Sequence, residues 1–156
     1  MFDIVLYEPE IPANSGNIIR LCANTGASLH LIEPLGFDMD DKKLRRAGLD
    51  YHEWANVCVY GSLADFVDQR KPPRLFALST KGRKVYSEVG FEPKDAFLFG
   101  PESRGLPASV LTTMERDKLL YLPMQPDSRS LNLSNTVSIV LYEAWRQQSF
   151  VGALIK

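Results

Sequence analysis

The stretch DIVLYEPEIPANSGNIIRLCANT, residues 3–25, holds one full repeat of the pattern that decides the fold. Asp3–Tyr7 is a short run of branched and aromatic residues and reads as a strand. Its apolar residues form a block without polar alternation, as expected of a strand covered on both faces. Asn17–Thr25 reads as a helix, with Ile18, Leu21 and Cys22 spaced to share one side. A Pro-, Asn-, Ser- and Gly-containing loop joins the two. Similar strands are predicted at Leu29–Ile32, Ala55–Tyr60, Arg74–Leu78, Ala96–Phe99 and Leu119–Leu122, and helices at Leu63–Gln69, Ala108–Thr113 and Asn135–Gln148. That alternation predicts an α/β fold, a mostly parallel sheet flanked by helices, in a single domain over residues 1–156.

The totals narrow the function classes. A formal net charge of −1 offers no global attraction for nucleic acid, so any basic site must be local. The N-terminus carries acids where a secretory signal would be basic, and no apolar run reaches the roughly 20 residues of a membrane span. Cys22 and Cys58 make neither a disulfide framework nor a metal cluster, so a reduced, cytoplasmic setting without a membrane or metal is expected.

Three loops, each directly after a predicted strand, carry the candidate chemistry: EPEIPANSGNIIR (8–20), GPESRGLP (100–107) and PMQPDSRSLNLSN (123–135). Ligands of open α/β sheets bind at the carboxyl ends of strands. Turn chemistry alone also enriches loops in these residues, but their shared placement argues for one site. In the first loop, Asn14 or Asn17 is a candidate N-cap. Arg20, on the first turn of the predicted helix, opposes the helix dipole. It reads either as a solvated side chain or as a phosphate ligand. In the second, Gly100 and Gly105 permit tight turns, Pro107 suits the first helical position, and Glu102 and Arg104 form either a surface ion pair or part of a site. In the third, six of the nine residues 130–138 are Ser, Asn or Thr, more than a single cap consumes.

Other chemistries find no footing. There is no Walker A or dinucleotide fingerprint, the GRK at 82–84 having the spacing of neither. His30 and His52 lie in unrelated contexts, His30 reading as structural, and no catalytic triad or metal-ligand spacing is present. Lys42, Lys43, Arg45 and Arg46, followed by Tyr51, His52 and Trp54, read either as a solvated face or as an RNA contact.

Taken together, NSGNIIRLCANTG, LFGPESRGLP and SRSLNLSNTVSIVLYEAWR resemble motifs 1, 2 and 3 of the SPOUT class of S-adenosylmethionine-dependent RNA methyltransferases. The likeness runs through nearly the whole chain. With VLYEPEIPANSGNIIRLCANTG, LHLIEPLGF and KLRRAGLDYHEW it narrows to minimal bacterial members acting on the wobble nucleotide of tRNA. Tyr86–Ser87 departs from the His–Ser of that group. The resemblance implies a deep C-terminal trefoil knot, a homodimer whose site is built across its interface, and transfer of methyl from S-adenosylmethionine, leaving S-adenosylhomocysteine, without a metal. The acceptor it implies is the 2′-hydroxyl of nucleotide 34, cytidine or modified uridine, in the anticodon stem-loop of leucine tRNAs. Leu78, Gly100, Glu102, Leu122, Ser130, Leu131 and Asn132 would hold the donor. Arg20, Asn14, Ser130, Asn132 and Tyr142 would serve catalysis. Arg20, Lys42, Lys43, Arg45, Arg46, Arg104 and Arg129 would meet the RNA. Another tRNA or rRNA position, or a non-catalytic RNA-binding factor of the same fold, are the competing expectations.

Overall fold

A computed structural model of the chain describes residues 1–46, 48–54 and 56–155. The elements run β1 (Asp3–Tyr7), α1 (Pro12–Thr25), β2 (Ser28–Ile32), α2 (Asp41–Arg46), α3 (Tyr51–Trp54), β3 (Val57–Tyr60), α4 (Leu63–Arg70), β4 (Leu75–Leu78), β5 (Lys84–Val85), β6 (Ala96–Phe99), α5 (Ala108–Leu111), β7 (Leu119–Tyr121) and α6 (Leu133–Gln147). The strands form one sheet in the order β3-β2-β1-β6-β4-β7-β5, every pairing parallel.

Side chains leave each strand alternately up and down, so the sheet has two cores. Ile4, Leu6, Leu29, Leu31, Phe97 and Phe99 pack on one face with Ile18 and Cys22 of α1 and Val137, Val140, Leu141 and Ala144 of α6. Val5, Ile32, Ala77 and Leu98 pack on the other with Phe66 of α4 and Leu106. The apolar stripe predicted for the first helix is thus its buried side, with Ile19 added and Leu21 at the margin. Burial pushes the Cys22 thiol up to about 12, which makes it a packing group rather than a nucleophile.

The start of β1 is pinned by charge. Buried Asp3 receives Arg70 Nε at 2.7 Å and Nη2 at 2.9 Å, and lies 3.3 Å from His30 Nε2. His30 Nδ1 is 3.1 Å from the Tyr60 hydroxyl, which gives this histidine the structural role expected of it. Burial raises the Asp3 pKa, but His30 and Arg70 outweigh it and hold the carboxyl below its usual value.

Two expectations needed correction. The first helix begins at Pro12, not Asn17, so Arg20 sits in its third turn and the dipole argument about its first turn does not hold. Asn14 and Asn17 lie inside that helix and neither caps it. Two short helices, α2 and α3, and the two-residue β5 were missed. The segment 41–54 has no apolar periodicity to announce it, and among the described residues Leu49 and Trp54 anchor it to the core. The predicted strand position Ala55 lies outside the described residues.

Candidate active site

The strand order reverses direction between β1 and β6, which opens a crevice at the carboxyl end of the sheet. Into it run the segments after β1, β6 and β7, the three loops singled out above. A cleft of about 490 Å³ forms where they meet, within the range of small-molecule sites. Leu78, Gly100, Glu102, Leu122, Ser130, Leu131 and Asn132, the expected donor residues, all line it, as do Asn14 and Arg104.

One polar chain ties the loops together. Ile11, in extended conformation, precedes α1 and has no side chain able to cap it, and Pro12 occupies the first turn. The cap comes instead from Glu102 in the β6–α5 loop. Its Oε2 accepts the Glu10 N–H at 2.8 Å, and its Oε1 the Ile11 N–H at 3.0 Å and Asn14 Nδ2 at 3.3 Å. A carboxylate there also complements the helix dipole. Asn14 Oδ1 accepts Asn132 Nδ2 at 2.9 Å, and Asn132 Oδ1 caps α6 by accepting the Ser134 N–H at 2.9 Å and the Asn135 N–H at 3.4 Å. Glu10 returns the exchange, accepting Ser103 N–H at 3.1 Å and Ser103 Oγ at 2.7 Å. The surplus of small polar residues in the third loop is therefore divided. Asn132 caps, while Thr136 and Ser138 bond back to carbonyls one turn earlier.

Gly100 answers a steric demand. A Cβ there would lie 2.3 Å from the Leu106 nitrogen, because the loop folds back on itself through Gly105 at φ 66°. Pro107 precedes α5 as its cap residue, one position earlier than expected. Arg104 pairs with Glu8, a residue held at positive φ, and not with Glu102.

A fourth loop, residues 79–83 between β4 and β5, also lines the cleft through Ser79, Thr80 and Lys81. Its signal is steric: a Cβ on Gly82 would stand 2.4 Å from the Leu120 carbonyl carbon and oxygen. No motif in the sequence carries that information.

Several candidates lie elsewhere. Arg20 is half-exposed on α1 outside the cleft, with Nε 3.0 Å from Glu53 Oε1 and Nη2 2.6 Å from the Gly48 carbonyl. The Asp50 N–H and Arg20 together hold Glu53 below the usual carboxylate value. Tyr142 is exposed on α6, edge-on to Trp145 at 5.7 Å. Lys42, Lys43, Arg45 and Arg46 lie on α2, Lys43 paired with Asp38 at 2.5 Å, and Arg129 is exposed in the third loop. Trp54 is buried in the core. Tyr86, the departure from the family pattern, packs against the core.

The fold and this site define an RNA-modifying class. Residues 1–142 match the SpoU rRNA Methylase family, and the chain belongs to it. Among its relatives, the tRNA (cytidine(34)-2′-O)-methyltransferase of Escherichia coli strain K12 is 57% identical over 156 residues, covering 100% of this chain and 99% of that protein. The crystal structure of a candidate RNA methyltransferase from Bacillus anthracis superposes with TM-score 0.92 at 46% identity, covering 100% and 99% of the two chains. The SpoU methyltransferase AviRb from Streptomyces viridochromogenes, solved with AdoMet, superposes with TM-score 0.77 at 26% identity, covering 94% of this chain and 57% of that one.

Proposed function

We propose that the protein transfers a methyl group from S-adenosylmethionine to the 2′-hydroxyl of nucleotide 34, cytidine or modified uridine, in leucine tRNAs. The observation that carries this reading is Glu102. Its carboxylate is held by three N–H donors from the first loop, yet no cation pairs with it among the described residues. A carboxylate so placed, in a cleft with apolar Leu78, Phe99, Leu106 and Leu122 and polar Ser130 and Asn132, suits a cationic sulfonium joined to a nucleoside. The full-length identity to the Escherichia coli enzyme supports the target nucleotide. The rRNA named in the family description is the competing target.

Bound in this cleft, S-adenosylmethionine would supply the methyl group. The chain's own residues must bring a ribose oxygen in line with it, at about 3–3.5 Å, and give the hydroxyl proton an exit. Asn14, Ser130 and Asn132 orient the reactants. Arg20 cannot act as a free base, because a guanidinium does not deprotonate in proteins. It grips the phosphate beside the target ribose and stabilises developing charge on the oxygen, while a phosphate oxygen or water takes the proton.

Within one chain Arg20 and Tyr142 stand away from the cleft, and both are exposed on the faces of α1 and α6. A homodimer that delivers them to the partner's cleft accounts for this. Support for a threaded C-terminus comes from β7, which lies between β4 and β5 although residues 79–83 join those two strands directly. No described helix is long and apolar enough to cross a membrane, and a tRNA substrate suits the cytoplasm.

Radiolabelled methyl transfer to total tRNA from a strain lacking the protein, followed by mapping, tests the reading. Label at nucleotide 34 of leucine tRNAs is expected; label elsewhere would reassign the target. Arg20→Ala should lose turnover on the order of a hundredfold while keeping donor affinity. Full activity in that variant would remove Arg20 from the mechanism.

A further inference from the structure

Three of the cations expected to meet RNA are already partnered. Arg104 is paired by Glu8, Arg20 by Glu53 and Lys43 by Asp38. Lys81 differs: it lines the cleft, is exposed, and pairs with no carboxylate among the described residues. Among the described residues, no carboxylate pairs with Arg83 or Lys84 either, which follow it. We propose that Lys81, Arg83 and Lys84 form a phosphate-holding edge that seats the RNA strand across the mouth of the cleft. The proposal rests on the RNA methyltransferase reading and adds residues to it.

Three observations carry it. The loop is built before any ligand arrives. Ser79 N–H donates to the Leu120 carbonyl at 3.0 Å, Arg83 N–H to the Leu119 carbonyl at 2.7 Å, and Lys81 N–H to Ser79 Oγ at 3.1 Å. Gly82, meanwhile, is seated against the β7 backbone too closely for any side chain. A cation on a pre-ordered loop loses less freedom on binding than one on a mobile segment. The net charge of −1 then requires local positive charge left unneutralised, because phosphate contacts supply most of the affinity for RNA. Finally, the placement favours a phosphate over the donor's lone carboxylate. Lys81 lines the cleft as an exposed side chain, and Arg83 and Lys84 follow it along the chain, so the segment presents repeated positive charge suited to a strand of repeated phosphates.

The test compares wild type with the triple variant Lys81→Ala, Arg83→Ala, Lys84→Ala, and with Lys81→Arg. Affinity for an unmodified leucine tRNA transcript is measured across a salt series, and S-adenosylmethionine affinity by calorimetry. The triple variant should bind the transcript on the order of tenfold more weakly. Its log-affinity against log-salt slope should be shallower by about 2, since each single-strand phosphate contact contributes about 0.7. Donor affinity should hold, and Lys81→Arg should bind RNA like wild type. Unchanged RNA affinity and slope would overturn the proposal, as would a loss confined to S-adenosylmethionine, which would assign Lys81 to the donor carboxylate. A wild type that binds the transcript but methylates no tRNA would overturn the functional reading and leave the phosphate edge standing.

Discussion

The strand β1 has a carboxylate network at each end, and the two are built on opposite plans. At its start, Asp3 is met by a two-pronged Arg70 and by His30, so buried charge is cancelled inside the fold. Beyond its end, Glu102 is met, among the described residues, by neutral N–H groups alone. The first arrangement consumes its charge to fasten α4 to the sheet. The second positions a carboxylate and leaves its charge available to a ligand. On the proposed function, polar networks of similar size serve stability at one end and recognition at the other, and the nature of the donors tells them apart.

Exchanging charge for neutrality at each end should break the comparison in different ways. The largest effect is expected from Glu102→Gln. It removes the charge and faces an amide toward N–H donors, so turnover should fall on the order of a hundredfold. Affinity for S-adenosylmethionine should drop about tenfold more than affinity for the neutral S-adenosylhomocysteine, a difference of about 1.4 kcal/mol readable by calorimetry. Equal losses for the two ligands would mean that Glu102 acts only as a cap.

At the other end, Asp3→Asn should cost about 2 kcal/mol in denaturant unfolding while donor affinity is unchanged. The pH dependence has a fixed sign. Because the native Asp3 pKa lies below its ordinary value of 3.8, its contribution is whole above that value and is lost as pH falls through the native pKa. The stability gap between wild type and variant should therefore close in acid. Arg70→Lys should have the smallest effect, about 1 kcal/mol, since it keeps the charge and loses the fork. A cost as large as that of Asp3→Asn would show that geometry, not charge, holds this end.

The same contrast explains what could be read from residues alone. β6 is a continuous apolar run and β1 one after its leading Asp3, and both have the predicted limits. The three loops were visible because turn residues followed strands. The start of α1 was hidden because Pro12, Asn14, Ser15 and Gly16 look like loop residues, and their helix is capped by Glu102 from 91 positions away. Displacing that boundary moved Arg20 by more than a turn. The 79–83 loop was hidden for a related reason: what defines Gly82 is the backbone of Leu120 and Tyr121, a neighbour that sequence spacing does not reveal. Local composition reports local structure, whereas caps and close approaches supplied by distant segments need the fold.

The position of β7 has a consequence for how the molecule is made. Among the described residues the strand neighbour of 84–85 is β7, and Ser79 and Arg83 donate their backbone N–H groups to it. The stretch emerging first from the ribosome thus contains a slot whose edges are complete only when residues 119–121 arrive. Such non-local closure is entropically costly and slow. Until it happens, the cleft that Leu78, Gly100 and Leu122 line together is incomplete. A chain stopped short of residue 119 would carry most of the sheet without a complete cleft.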